Sequence, residues 1–209
     1  MRSSRNTTGF SYYLIFTLFS FLLLQPTDFA RAQNSTALTF DQDTRIWVEG
    51  TSTIHDWSCE ADELSGTVTP APDAEQPLSN LQSTSLTIPV EKFECGKSKM
   101  NRKLREAFKI DDHPTIEFEA NSVSAEVASA GSGPATSLLV KGDLTMAGTT
   151  RTIEIQTEGY DQSDGRVKFT GQHTLDMTDY QMDPPTAIWG TIKTGEEVTV
   201  HFEVLASKT

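Results

Sequence analysis

Histidine, cysteine and one cluster of cations are the side chains of this sequence with chemistry to offer. His55 and Asp56 stand in the order of a base and its orienting carboxylate. Adjacent strand residues point to opposite faces, however, and no activated nucleophile accompanies the pair, so no hydrolase is expected. Cys59 and Cys95 are too few for a zinc site, and no C-x-x-C or H-x-x-x-H spacing exists. Neither a catalytic nor a metal centre is expected, and no cofactor. His173 shares a strand face with Phe169, Gly171 and Leu175. An inward neutral imidazole there would offer a hydrogen bond to a ligand head group or, more ordinarily, to a protein partner. His201 falls on the opposite face of its strand, toward water. Trp47, Trp57 and Trp189 read as core or rim residues, the rim suiting an aromatic with one polar atom.

The largest group of charges is cationic. Lys97, Lys99, Arg102, Lys103, Arg105 and Lys109 fall within thirteen positions of a chain whose formal charge is −12. Anionic lipid surfaces attract such patches at about 1 kcal/mol per Lys or Arg. Lys99, Arg102, Lys103 and Arg105 are therefore the expected membrane contacts; the alternative is a solvated face partly paired with Glu106, Asp111 and Asp112. The acidic balance elsewhere argues against nucleic acid, whose phosphates need clustered Lys and Arg.

The elements that must position these residues follow an N-terminal leader. Arg2 and Arg5 precede the uncharged run Leu14 to Leu24, and Ala30-Arg31-Ala32 follows. A basic start, a short apolar middle and an A-x-A end predict a signal peptide over 1–32, cleaved after Ala32, and a periplasmic or secreted single domain over 33–209. The run is about half the roughly 20 residues that a spanning helix needs. The leader holds Arg2, Arg5 and Arg31 against Asp28, a net +2, so the mature chain would carry −14. Export into an oxidising compartment favours a Cys59–Cys95 disulfide over two buried thiols. Closing that loop of roughly 37 residues would contribute about 4 kcal/mol in the chain-entropy model. The Asn34-Ser35-Thr36 glycosylation pattern has meaning only in a eukaryotic secretory pathway.

Period-two alternation dominates the rest. It runs through Leu38/Phe40, Ile46/Val48, Leu86/Ile88/Val90, Ile116/Phe118/Ala120, Leu138/Val140/Leu144/Met146, Ile153/Ile155, Val167/Phe169/Gly171 and Val198/Val200/Phe202/Val204. Such spacing puts every named side chain on one face of a strand. The absence of continuous apolar strands and intervening helices makes the sheet antiparallel. Loose loops are expected at Pro70–Pro77 and Ala128–Ala135, and turns at Ala147-Gly148, Asp161–Gly165 and Asp183–Pro185. Met100, Leu104 and Phe108 break the pattern at helical spacing, which predicts one short amphipathic helix from an N-cap at Ser98. The fold class is all-β, about eight antiparallel strands closed as a barrel or stacked as a sandwich.

Several segments carry a resemblance to the YceI-like family. They are Trp47 to Trp57, Ser85 to Val90, Met100 to Phe108 with His113-Pro114-Thr115-Ile116-Glu117-Phe118, Val140 to Arg151, and Gly195 to Val200. The resemblance spans about residues 37 to 206. It implies a lipocalin-like barrel whose apolar tunnel holds an amphiphile, typically a polyisoprenoid or isoprenoid quinone, for transport, storage or sequestration. Ile46, Val48, Leu86, Ile88, Ile116 and Phe118 would line that tunnel in the first half of the domain. Leu138, Val140, Leu144, Ile153, Ile155, Phe169, His173 and Phe202 would line it in the second. Cys59 and Cys95 resemble a branch with His-Asp-Trp-x-Cys. Met177 to Met182 lacks the Arg and Gly that isoprenoid-binding members carry late in the chain. The reading from another class is a structural or stress-protective exported β-domain with a filled core. Oligomeric state stays open, a dimer included.

Overall fold

The computed structural model describes residues 37–61, 63–71, 78, 80–126, 135–187 and 190–208. The expected leader, the Asn34 pattern, Trp189 and most of the two loose loops lie outside them. Among the described residues there are twelve strands. They are β1 (Leu38–Phe40), β2 (Arg45–Ser52), β3 (Trp57–Ala61), β4 (Ser65–Pro70), β5 (Leu81–Pro89) and β6 (Phe93–Glu94), then β7 (Thr115–Glu126), β8 (Ala135–Met146), β9 (Thr149–Asp161), β10 (Val167–Asp176), β11 (Thr186–Ala187) and β12 (Ile192–Lys208). One helix, α1 (Ser98–Ala107), separates β6 from β7.

These strands make a closed antiparallel barrel of eight positions, because β12 meets β10 on one side and β1 and β2 on the other. The chain order around it is a plain meander. β1 and β2 run end to end against β12, from Leu38↔Lys208 to Ser52↔Thr194. β3 and β4 share the second position, β5 and β6 the third. Closure removes the exposed sheet edges that would otherwise pair with other chains. The barrel resolves the choice left open by alternation. Four strands escaped the sequence pattern: β3, β4, β6 and β11 have only two to six residues each.

Each break between half-strands lies at one height. At the first, Asp41 N–H donates to Leu205 O (2.8 Å), and the buried Thr44 hydroxyl accepts from Leu205 N–H (3.2 Å). A side chain here replaces the missing ladder partner. At the third, a single 3-10 turn (Val90–Lys92) jogs the chain, and Val90 N–H bonds Pro114 O at 2.9 Å.

Inward and outward faces alternate as expected. Outward positions carry charge pairs across neighbouring strands, including Lys141–Glu154 (3.1 Å), Lys168–Glu203 (2.8 Å) and Arg45–Glu60 (2.6 Å). Inward positions form two clusters at opposite ends. Leu38, Val68, Leu78, Leu138, Val167 and Ala206 pack one end shut. Ile46, Ile88, Met146, Leu175, Met177 and Val198 gather with α1 at the other.

Between those ends, aromatic rings lie along the wall over glycines. Phe40 covers Gly66, Trp57 covers Gly50, Phe118 covers Gly142 and Phe202 covers Gly171. A Cβ at any of these glycines would come within 2.4–2.6 Å of a ring or backbone atom, or closer at Gly66. Gly50↔Trp57 and Gly171↔Phe202 are direct cross-strand partners, so each ring fills the place of its partner's absent side chain. Eight strands leave an interior just wide enough for side chains to fill or for one ligand. Rings held against the wall leave it unfilled. Gly171→Ala is expected to drive the Phe202 ring into the lumen and to lower stability by about 1–3 kcal/mol, an overpacking cost. In urea denaturation, Gly171→Ala combined with Phe202→Ala should lose less than the two single changes added together. Strict additivity would count against the packing described.

Candidate functional site

The barrel encloses one large cavity of about 480 Å³, walled almost entirely by apolar side chains. That lies within the range of roughly 300–1,000 Å³ typical of small-molecule sites. Of the fourteen tunnel residues expected from sequence, Ile46, Val48, Leu86, Ile88, Ile116, Phe118, Val140, Leu144, Ile153, Ile155, Phe169, His173 and Phe202 stand on its wall. Leu138 does not. It faces inward but lies in the plug at the closed end, where Leu78 crosses Gly159 beside it.

The other end is built by α1. Met100, Leu104, Ala107 and Phe108 turn to the cavity, and the Phe108 ring stacks on Phe93 at 6.5 Å. The sequence showed this stripe but nothing that made it a wall of the tunnel. Met177 and Met182 also line this end from a 3-10 turn (Met177–Tyr180) and the segment after it, where no periodicity could announce them. Asp176 starts that turn by accepting from Thr178 N–H (2.8 Å) and its hydroxyl (2.6 Å), which hold the carboxyl below its ordinary range.

The helix begins after Lys97, which takes the N-cap place expected of Ser98 and makes no side-chain cap. Anchorage comes from Asn101 instead. This buried residue accepts from Cys95 N–H (2.8 Å) and donates to the Glu94 carboxylate. Beside it Cys95 forms a disulfide with Cys59 of β3. Helix, β6 and β3 are thus joined at the cavity rim, and both cysteines face the cavity. At its other end the helix closes through Ile110 N–H to Arg105 O (3.2 Å), with Lys109 left-handed at φ 54.

Opposite α1, the β2–β3 hairpin completes the opening with Ile54 and His55. His55 and Asp56 lie in this loop, not on a strand as supposed, and the imidazole Nδ1 donates to Asp56 O at 2.8 Å. Ile54 is 62 % exposed, and no other large apolar side chain among the described residues stands out as exposed. Trp57 is a rim residue whose Nε1 donates to Thr51 O at 3.0 Å. Trp47 is neither core nor rim. It lies on the outer wall, stacked on His201 (5.0 Å) beneath the Arg45 guanidinium (5.5 Å), and His201 Nε2 stands 3.2 Å from Glu49.

The basic residues of α1 divide. Arg102 and Lys103 both reach Glu106 (3.6 and 2.8 Å), and Lys103 holds that carboxyl below its ordinary range. Arg105 donates to Glu91 O (2.8 Å), and Lys109 donates to Gln181 O (3.1 Å). Glu106 supplies the expected acidic partner; among the described residues, Asp111 and Asp112 pair with none of these cations. Lys97, Lys99 and Lys103 contribute to the cavity lining.

His173 is, among the described residues, the one imidazole set into the inner barrel wall. Among the described residues its ring has no hydrogen-bond partner, and burial holds its protonation below the ordinary value of 6.5. The unfolded chain therefore binds a proton that the folded chain resists. His173 contributes full stability above about pH 6.5, and stability falls as pH drops through that value toward the lower folded one. His173→Leu should flatten this part of the profile, read as a smaller loss of urea midpoint between about pH 8 and pH 5 than in the parent. An equal loss in both proteins would refute the assignment.

The comparisons agree with this geometry. Burkholderia cenocepacia BcnA is similar in structure, with a TM-score of 0.63 and 16% identity over 80% of this chain and 99% of its own. A polyisoprenoid binding domain from Saccharophagus degradans, implicated in plant cell wall breakdown, gives 0.64 and 16%, covering 83% and 99%. The Campylobacter jejuni YCEI protein gives 0.56 and 15%, covering 72% and 84%. No curated protein matches the sequence. The model of the YceI-like domain matches residues 30–206, and the chain belongs to that family.

Proposed function

We propose that the protein is an exported, periplasmic or secreted carrier that holds a long-chain amphiphile non-covalently. A polyisoprenoid or isoprenoid quinone is the ligand class, and transport, storage or sequestration the role. The observation that carries this reading is the cavity: aliphatic and aromatic residues from strands all around the barrel wall one apolar volume that opens at the α1 end. Its wall offers methyl-rich surface, and burial of a matching chain is favourable by roughly 25 cal/mol per Å². A domain with a filled core would have no such volume. The Saccharophagus degradans neighbour, described as a polyisoprenoid binding domain, supports the ligand class. The basic segment and apolar middle of residues 1–32 support export. Native mass spectrometry of protein purified from its own cell envelope should show a lipid adduct that organic extraction removes. Ligand-free protein in every such preparation would overturn the reading.

Ligand exchange takes place with the α1 end resting on an anionic membrane. Ile54 supplies an apolar contact there, and Lys99, Arg102, Lys103 and Arg105 supply the attraction. Binding to phosphatidylglycerol vesicles, measured by co-sedimentation, should fall at least about tenfold when Lys99, Arg102 and Lys103 are changed to Glu. Undiminished binding by the triple variant would sink the membrane contact.

A further inference from the structure

Acidic residues outnumber basic ones 29 to 17 in this chain, yet among the described residues no Asp or Glu lines the cavity. The charged side chains that do are all lysines: Lys97, Lys99 and Lys103. Lys103 is committed to Glu106 at 2.8 Å. The ammonium groups of Lys97 and Lys99 have no ion-pair or hydrogen-bond partner among the described residues. They flank the first residue of α1, whose first turn holds no acid to neutralise them. The segment that carries them is fixed at Cys95 by the disulfide and by Asn101, so the two cations stay at the opening. Both ammonium groups are exposed, so their attraction for an anion is screened by salt. It is strongest at low ionic strength, where each can still give a charge-assisted hydrogen bond.

We propose that the cavity selects amphiphiles with an anionic head group, a carboxylate or a phosphate ester, and that Lys97 and Lys99 hold that head at the mouth while the chain fills the barrel. This rests on the carrier reading and narrows its ligand class. A neutral head would accept at most an ion–dipole hydrogen bond from them, without the ion-pair attraction. An anion would gain two charge-assisted contacts without bringing a buried carboxylate of the protein into opposition.

The test is a displacement titration on delipidated protein in the absence of vesicles, which separates head-group recognition from membrane contact. The probes are geranylgeranic acid, geranylgeranyl phosphate and geranylgeraniol, which share one chain and differ in head. Both anions, or one of them, should bind about tenfold or more tightly than the alcohol at low salt, and the tighter anion identifies the head group. Lys97→Gln with Lys99→Gln should reduce that preference to about twofold or less while leaving geranylgeraniol binding unchanged; Lys97→Arg with Lys99→Arg should keep it. These side chains are surface-exposed, so thermal melts of the variants should match the parent. Equal binding of alcohol and anions, or a preference that survives in the glutamine variant, overturns the head-group assignment and leaves the carrier standing. Failure of all three probes to bind overturns both.

Discussion

The cavity depends on where four aromatic rings lie. An eight-stranded barrel has barely more interior than its own side chains occupy, and Phe40, Trp57, Phe118 and Phe202 are large enough to close it. Each instead lies over a glycine of a directly paired strand; Trp57 and Phe202 are opposite theirs in register, and Phe118 is diagonal to Gly142. The volume those glycines give up is the volume the rings take, so the lumen keeps the difference. The same pairing holds the strands in register. A slip of one residue would turn every ring outward and leave the glycines uncovered. An open interior and a fixed register therefore have one physical cause.

The two ends of the barrel are specialised in a way that follows from composition. One end is packed with small and branched side chains around Leu38 and Leu138, and is shut. At the other, the chain leaves the barrel for α1; the helix lends its apolar stripe to the cavity, Lys99 and Lys103 reach the opening, and Arg102 and Glu106 face out. A disulfide and one buried asparagine secure that helix at its start. Its far end is secured by Lys109, which reaches Gln181 in the segment that supplies Met182 to the wall.

Alternation made the inner faces of the long strands legible, because β7, β8, β9, β10 and β12 each carry at least two apolar residues in period two. Inward residues on those strands could be named for that reason; that they line a tunnel is what the resemblance implied. Leu138 was placed in the tunnel because period two reports which face a residue occupies and not its depth. Trp47 reads as core or rim by residue type alone, although alternation with Ile46 and Val48 puts it on the opposite face, where the structure shows it stacked on His201. The half-strands β3, β4 and β6 were invisible as strands, since fragments of two to six residues give alternation too few repeats to register. The resemblance supplied the choice of a barrel over a sandwich. The glycine–aromatic pairing is written across segments that the resemblance quoted separately: Phe118 in one covers Gly142 in another, and His113 in one packs on Gly148 in the other.

The interrupted strands give the barrel a mechanical direction. On one side β8 and β9 are paired through twelve successive positions and β10 and β12 through ten. Across the three divided positions, β1 and β4 share two pairs and β3 and β6 two. Resistance to shear between neighbouring strands scales with the unbroken hydrogen-bonded length that joins them. The wall is therefore a stiff half-cylinder of long ladders joined to a compliant panel with a crease at one height. Distortion that widens the bore concentrates in the creased panel, and the stiff half keeps its shape.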